Sequence, residues 1–164
     1  MKSLRPVLSI SLLFLTIAAF AASDAQTTFA KLKSLEGSWT GKTSDGRPLR
    51  VENRVTSGGS ALMSEIQGPE EMVSMFYLDG DRLLMTHYCS AGNQPRMAAT
   101  VSPDGKTITF DFVDATNLLG SQPGHMQRLV VTMLDDNHHT EEWDFLAKDG
   151  TMHHHELFDL QRTK

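Results

Sequence analysis

From about residue 38 to the end of the chain, short runs of alternating apolar and polar residues are separated by turn residues such as Asp104-Gly105 and Asp149-Gly150. Alternation of this kind indicates β-strands that bury one face. Many short strands at roughly 8–12-residue spacing are typical of β-sandwiches and closed antiparallel barrels. The pattern therefore predicts an all-β fold, and closure into a barrel would leave no free strand edge.

The pattern predicts about ten strands after one short helix. Phe29, Leu32 and Leu35 lie on one side of a helix that is predicted from Phe29 to Leu35, with Thr27 or Thr28 as its N-cap. Such a helix can close one end of a barrel. The strands are predicted at about 38–44, 48–57, 60–67, 71–78, 82–89, 95–102, 106–113, 126–134, 139–147 and 151–161, and the longest irregular piece at 114–124.

Residues 1–25 have the features of a secretory signal peptide: a positively charged start, an apolar run from Val7 to Ala22 and small residues at the cleavage site. Two cleavage sites fit, one after Ala21 and one after Ala25, and we prefer the second. The apolar run is short for a membrane-spanning helix, which needs about 20 residues. We therefore expect export to the periplasm or secretion, no membrane insertion of the mature chain, and a single β-barrel domain at 26–164.

Charge and cysteine content limit the kinds of partner and cross-link that we expect. The net charge is -5 without blocks of like charge, and no basic patch predicts nucleic-acid binding. Cys89 is the single cysteine, so an exported chain cannot form an internal disulfide and depends on its β-core for stability. We expect Cys89 to be a small buried apolar residue, and a ligand-contacting thiol is the alternative.

Strand alternation predicts which side chains point into the barrel. In the strand 82–89, for example, Met85, His87 and Cys89 share a face. An interior rich in Met, Phe and Trp suits a ligand cavity and an ordinary core equally well. The predicted ligand-binding side chains are Trp39, Met85, His87, Met97, Phe110, Trp143, His154, Glu156 and Phe158.

Histidines are the strongest chemical lead. His87 and His154 are predicted to face the interior, where a neutral imidazole can ligate haem iron, act as a base or satisfy an internal hydrogen bond. Glu156 can orient such a ring. His138 and His139 are expected at the far end of the hairpin from residues 153–155, so one metal cluster of all five is not predicted. No nucleophile elbow or zinc-protease motif is present, so no catalytic residue is assigned.

Two stretches resemble known families. Gly37-Ser38-Trp39, just after a short helix, resembles the calycin pattern of lipocalins, fatty-acid-binding proteins and nitrobindin-like haem barrels. Thr86-His87-Tyr88-Cys89 resembles small exported bacterial proteins of the DUF1579-like or lipocalin-like kind. The resemblance implies an antiparallel up-and-down barrel of about eight to ten strands, with Trp39 closing its bottom against Arg162. The lipocalin disulfide and the Arg-x-Tyr pair of fatty-acid-binding proteins are absent.

The resulting hypothesis is an exported, lipocalin-like binding protein for a small apolar molecule, with no cofactor. Two alternatives stay open: an enzyme that uses an inward histidine in the cavity, and a nitrobindin-like haem-binding protein. The sequence leaves the identity of the ligand and the oligomeric state open.

Overall fold

Ten antiparallel strands close into one barrel, in which each strand pairs with the strands before and after it in the chain, and the last pairs with the first. The all-β, antiparallel up-and-down barrel that the sequence predicts is therefore confirmed. The computed structural model describes residues 24–68, 70–121 and 123–163, without the side chains of 153–155. The predicted signal peptide lies outside these residues except for Asp24 and Ala25.

A short helix precedes the strands, and a single 3-10 turn at Ser57–Gly59 links the second strand to the third. No helix in the described ranges is long and apolar enough to cross a membrane. The elements are α1 Asp24–Lys33, β1 Gly37–Lys42, β2 Pro48–Thr56, β3 Ala61–Gln67, β4 Met72–Asp79, β5 Arg82–Tyr88, β6 Gln94–Val101, β7 Thr107–Thr116, β8 Gly124–Asp135, β9 His138–Ala147 and β10 Met152–Arg162.

Two predicted segments have different bounds in the structure. The helix spans Asp24–Lys33 and not 29–35. Neither Thr27 nor Thr28 is its N-cap, because both lie inside the helix, and Thr28 donates from Oγ1 to the Asp24 carbonyl at 2.7 Å. The segment predicted as irregular from residue 114 starts later, because β7 continues to pair with β6 as far as Thr116. In both cases hydrogen bonding extends an element beyond the residues that show a clear pattern.

Helix α1 lies across one end of the barrel. Phe29 and Leu32 of its predicted apolar stripe are buried in the core, and so is Leu35, which lies in the turn just after the helix. Lys33 donates from Nζ to the carbonyl of Gly59 at 3.1 Å, and Lys31 donates to the carbonyl of Gly105. The helix is thereby attached to the links between β2 and β3 and between β6 and β7.

Trp39 is fully buried beneath the helix, and its Nε1 donates to the Leu35 carbonyl at 2.8 Å. The Arg162 guanidinium lies over the indole, 4.3 Å from its centroid. Arg162 also donates to the carbonyls of Glu36 at 2.6 Å and Ser34 at 2.9 Å. The packing of Trp39 against Arg162 that the family resemblance implies is confirmed, and it joins the last strand to the segment after the helix.

We expect Arg162→Ala to lower the free energy of unfolding by about 2–4 kcal/mol, because it removes a cation–π contact and charge-assisted bonds to backbone carbonyls. Urea unfolding measures this change. The matched control is Arg82→Ala, which removes an exposed ion pair with Asp79 and should cost less than about 1 kcal/mol. Equal losses in the two variants would contradict a special role for Arg162.

Candidate ligand-binding site

A cavity of about 420 Å³ opens at the end of the barrel opposite α1. Its lining comes from the loops that join β1 to β2, β3 to β4, β5 to β6 and β7 to β8, and from the adjoining strand ends. Consecutive antiparallel strands run in opposite directions, so these alternate loops all lie at one end of the barrel. The helix closes the other end, and the cavity is the mouth that remains.

The deep wall of the cavity is apolar. The deep wall consists of Trp143 on β9 and Phe158 on β10, at inward positions near the middle of their strands. Both side chains are almost completely buried although they line the cavity. Leu49, Ile66 and Met72, at the ends of β2, β3 and β4, continue the apolar lining toward the mouth.

Polar side chains line the mouth. Ser90 donates from Oγ to Oε2 of Glu70 at 2.5 Å, and Arg47 is paired from Nε with Oδ2 of Asp45 at 2.6 Å. These groups are held by local contacts and remain next to solvent, where a bound molecule's polar end would lie. The polar lining residues are Thr43, Arg47, Glu70, Ser90 and Glu156.

Cys89 lines the cavity and is buried, with 9% of its surface exposed. Burial raises the pKa of its thiol, and the nearby Glu70 carboxylate adds a smaller effect in the same direction. The thiol is therefore protonated at neutral pH and packs as an apolar group. Cys89 is the buried small residue that the sequence predicts, at a position where a bound molecule would touch it.

His87 lies behind the deep wall of the cavity. Its ring is fully buried, its Nδ1 is hydrogen-bonded to Oγ of Ser74 at 2.9 Å, and its centroid lies 4.8 Å from that of the Trp143 ring. Its Nε2 has no hydrogen-bond partner among the described residues. Burial lowers the pKa of His87 to about 4, so the imidazole is neutral at pH 7.

A buried polar chain runs along the inner face of β9. Trp143 donates from Nε1 to Oε2 of Glu141 at 3.1 Å, and Oε1 of Glu141 lies 3.4 Å from Nε2 of His139. His139 packs edge-on against Trp39, with centroids 4.3 Å apart. Neither His139 nor Glu141 is among the predicted site residues, although extending the alternation back from Trp143 places both on its face of β9.

Apart from the two histidines, the predicted site residues divide into two groups. Trp143, Glu156 and Phe158 line the cavity. The other four apolar candidates, Trp39, Met85, Met97 and Phe110, are completely buried in the filled part of the barrel, and none lines the cavity. Inward alternation selects core and cavity positions alike, because it says nothing of depth along the barrel.

The remaining candidate, His154, has a side chain outside the described residues. Its backbone lies in β10 where the register with β9 shifts between His153 and His155. His138 and His139 pair with the other end of β10, at Gln161 and Leu160, so the predicted separation from residues 153–155 is confirmed. Within the described residues no group of three His, Cys, Asp or Glu side chains is arranged to hold a metal ion.

No protein-family model matches this chain, and no curated protein matches it. Two solved structures are similar in fold. Rv2717c from M. tuberculosis is 16% identical, with a TM-score of 0.58 over 84% of this chain and 98% of that one. A Nostoc punctiforme protein of unknown function from the DUF3598 family is 11% identical, with a TM-score of 0.54 over 80% of this chain. This chain spans 49% of the Nostoc protein's length, and at these identities the similarity shows the fold alone.

His87 makes stability depend on pH. Its folded pKa of about 4 lies below the ordinary 6.5, so between these values the unfolded chain takes up a proton that the folded chain does not. We expect the free energy of unfolding to fall as pH falls through this range, by about 3 kcal/mol more than in His87→Gln or His87→Leu. Urea unfolding at a series of pH values tests this, and equal slopes in parent and variants would contradict it.

Proposed function

We propose that this chain is an exported, lipocalin-like binding protein that holds a small, mainly apolar molecule in the cavity of a calycin-like barrel. The observation that carries the proposal is the cavity of about 420 Å³ at the one barrel end that α1 does not cover. Ligand pockets commonly measure about 300–1,000 Å³ and combine an apolar lining with a few polar groups. This cavity has that size and that lining.

The distribution of polarity in the cavity favours a ligand with one polar end. The deep wall is apolar, whereas Glu70, Ser90 and Arg47 line the mouth. Burying the apolar part of a ligand contributes about 25 cal/mol for each Å² removed from water. The polar end would stay at the mouth, because a polar group buried without a partner is costly.

The position of His87 favours binding over catalysis. As a base, its imidazole would have to reach a bound substrate, but His87 does not line the cavity and lies against the ring of Trp143, which does. Among the lining side chains, the Cys89 thiol has a raised pKa, which disfavours a nucleophilic thiolate. The cavity is therefore better suited to holding a molecule than to transforming it.

The proposal includes two further points: the protein is exported, and its barrel is of the calycin type. The cation–π packing of Arg162 on Trp39, after a short helix, supports the calycin type. Helix α1 begins at Asp24 and Ala25 packs against the core, so cleavage after Ala25 would remove part of the first turn. Cleavage after Ala21 keeps every described residue of the helix, and N-terminal sequencing of the exported protein would show which site is used.

Native mass spectrometry of the protein purified from the organism that makes it is the direct test of the function. We expect one bound small molecule of low polarity for each chain. A mass that corresponds to haem would instead support the haem-binding alternative. Release of only polar metabolites, or of nothing in repeated preparations, would contradict the proposal.

Ala91 offers a way to block the mouth of the cavity, which it lines. We expect Ala91→Trp to weaken the binding of the neutral fluorophore N-phenylnaphthylamine at least about tenfold, because the indole takes the ligand's space. The control is Ser60→Trp, at an exposed position near the helix-covered end, which should bind as the parent does. Fluorescence titration measures both affinities.

The single cysteine supplies an independent readout of the same prediction. Because Cys89 lines the cavity, saturating fluorophore should slow its reaction with N-ethylmaleimide in the parent but much less in Ala91→Trp. Equal affinity in parent and Ala91→Trp, together with unprotected Cys89, would show that the fluorophore binds elsewhere.

A further inference from the structure

Trp143 crosses the interior of the barrel. It is carried by β9, and its ring meets the ring of His87 on β5, with centroids 4.8 Å apart at 44°. In the order of the closed sheet, β8, β7 and β6 separate these two strands, so they lie on nearly opposite sides of the barrel. The indole therefore spans the lumen, with the cavity on one side and the filled core on the other.

Glu141 holds the indole in this position. Its Oε2 accepts the hydrogen bond from Nε1 of Trp143 at 3.1 Å, and its side chain is itself buried, at 8% exposed. If the acceptor were lost, the indole N–H would be buried without a partner, which is unfavourable enough to turn the ring. The other carboxylate oxygen lies beside Nε2 of His139, which orients the carboxylate from below.

We propose that Trp143 is the floor that sets the depth of the ligand cavity, and that Glu141 is the positioning residue that holds this floor in place. The inference rests on the proposed function and adds the property that decides which ligands fit. The site selects apolar chains by length, and a chain longer than the distance from mouth to indole gains nothing from its extra carbons.

The chemistry of Glu141 supports a positioning role over a purely stabilising one. Replacing a pair of buried, hydrogen-bonded polar groups with apolar residues of similar shape can be nearly neutral or stabilising, so a carboxyl group in a filled core is a poor choice for stability alone. Its contact with Trp143, which lines the cavity, gives it an effect on the site. The ring of His87 lies against the same indole and does not line the cavity, so Trp143 stands between this imidazole and a bound ligand.

The test is a length series of straight-chain primary alcohols, from hexanol to tetradecanol, measured by displacement of N-phenylnaphthylamine from the whole protein. In the parent we expect affinity to rise about fourfold for each added methylene and then to become constant at the length that reaches Trp143. The chain length at which the rise stops is the measured quantity. General destabilisation of the fold does not move this length.

Variants of Trp143 and of Glu141 test the two parts of the proposal separately. In Trp143→Ala the rise should continue past the parent's limit, so that an alcohol two carbons longer binds at least about tenfold more tightly than it binds the parent. Glu141→Leu should move the limit in the same direction, whereas Glu141→Gln keeps an acceptor oxygen and should keep the parent's limit. The matched control is Glu142→Gln, on the opposite face of β9. Circular dichroism checks folding, and Trp143→Phe replaces Trp143→Ala if the latter does not fold.

Each outcome bears on a different claim. The same length limit in the parent and in the Trp143 variants would overturn the claim that Trp143 sets the depth of the cavity. A shifted limit in Trp143→Ala with an unchanged limit in Glu141→Leu overturns the positioning role of Glu141. Failure of the parent to bind the fluorophore and every alcohol overturns the proposed function itself, and with it this inference.

Discussion

Closure of the barrel through the pairing of β1 with β10 is the constraint on which the rest of the structure depends. The two strands approach so closely that a β carbon at Gly41 would collide with the carbonyl oxygen of Asp159. The same pairing sets Trp39 opposite Arg162, and the guanidinium then lies over the indole and bonds to the segment after the helix. Closure of the barrel therefore also covers one of its ends, and the buried core lies next to that end.

The interior is packed with side chains near the helix and becomes a cavity toward the opposite end of the barrel. Near the helix, large apolar side chains such as Phe110 and Met85 fill the interior completely. Near the other end the inward side chains no longer meet, and the cavity begins at Trp143 and Phe158. A barrel of this size can hold side chains or a small ligand in its interior, and this one does both at different depths.

Buried polar groups also lie at different depths along the barrel axis. His139 and Glu141 are buried in the core, and His87 lies next to the cavity floor. Buried polar groups need partners, and the inner face of β9 supplies some of them: His139, Glu141 and Trp143 are linked along this strand, whereas His87 is hydrogen-bonded to Ser74 on β4. The linked side chains of β9 thus extend from the contact of His139 with Trp39 near the sealed end to Trp143 at the cavity.

The alternation of apolar and polar residues predicted about ten strands in a meander of hairpins, and inward positions such as those of Met85 and Phe158. It also placed the helix before the first strand, because the spacing of Phe29, Leu32 and Leu35 is local information. The pairing of Trp39 with Arg162 followed from family resemblance. Local pattern could go this far because strand and helix periods depend on neighbouring residues.

Only the tertiary structure decided how deep in the barrel each inward side chain lies. Met85 and Phe158 both face inward by alternation, yet one lies in the filled core and the other lines the cavity. The contact of His87 with Trp143 joins two strands on nearly opposite sides of the closed sheet. Such contacts depend on where the ring of strands closes and on how each side chain fills the space left by the others, and neither is written in the period of any one strand.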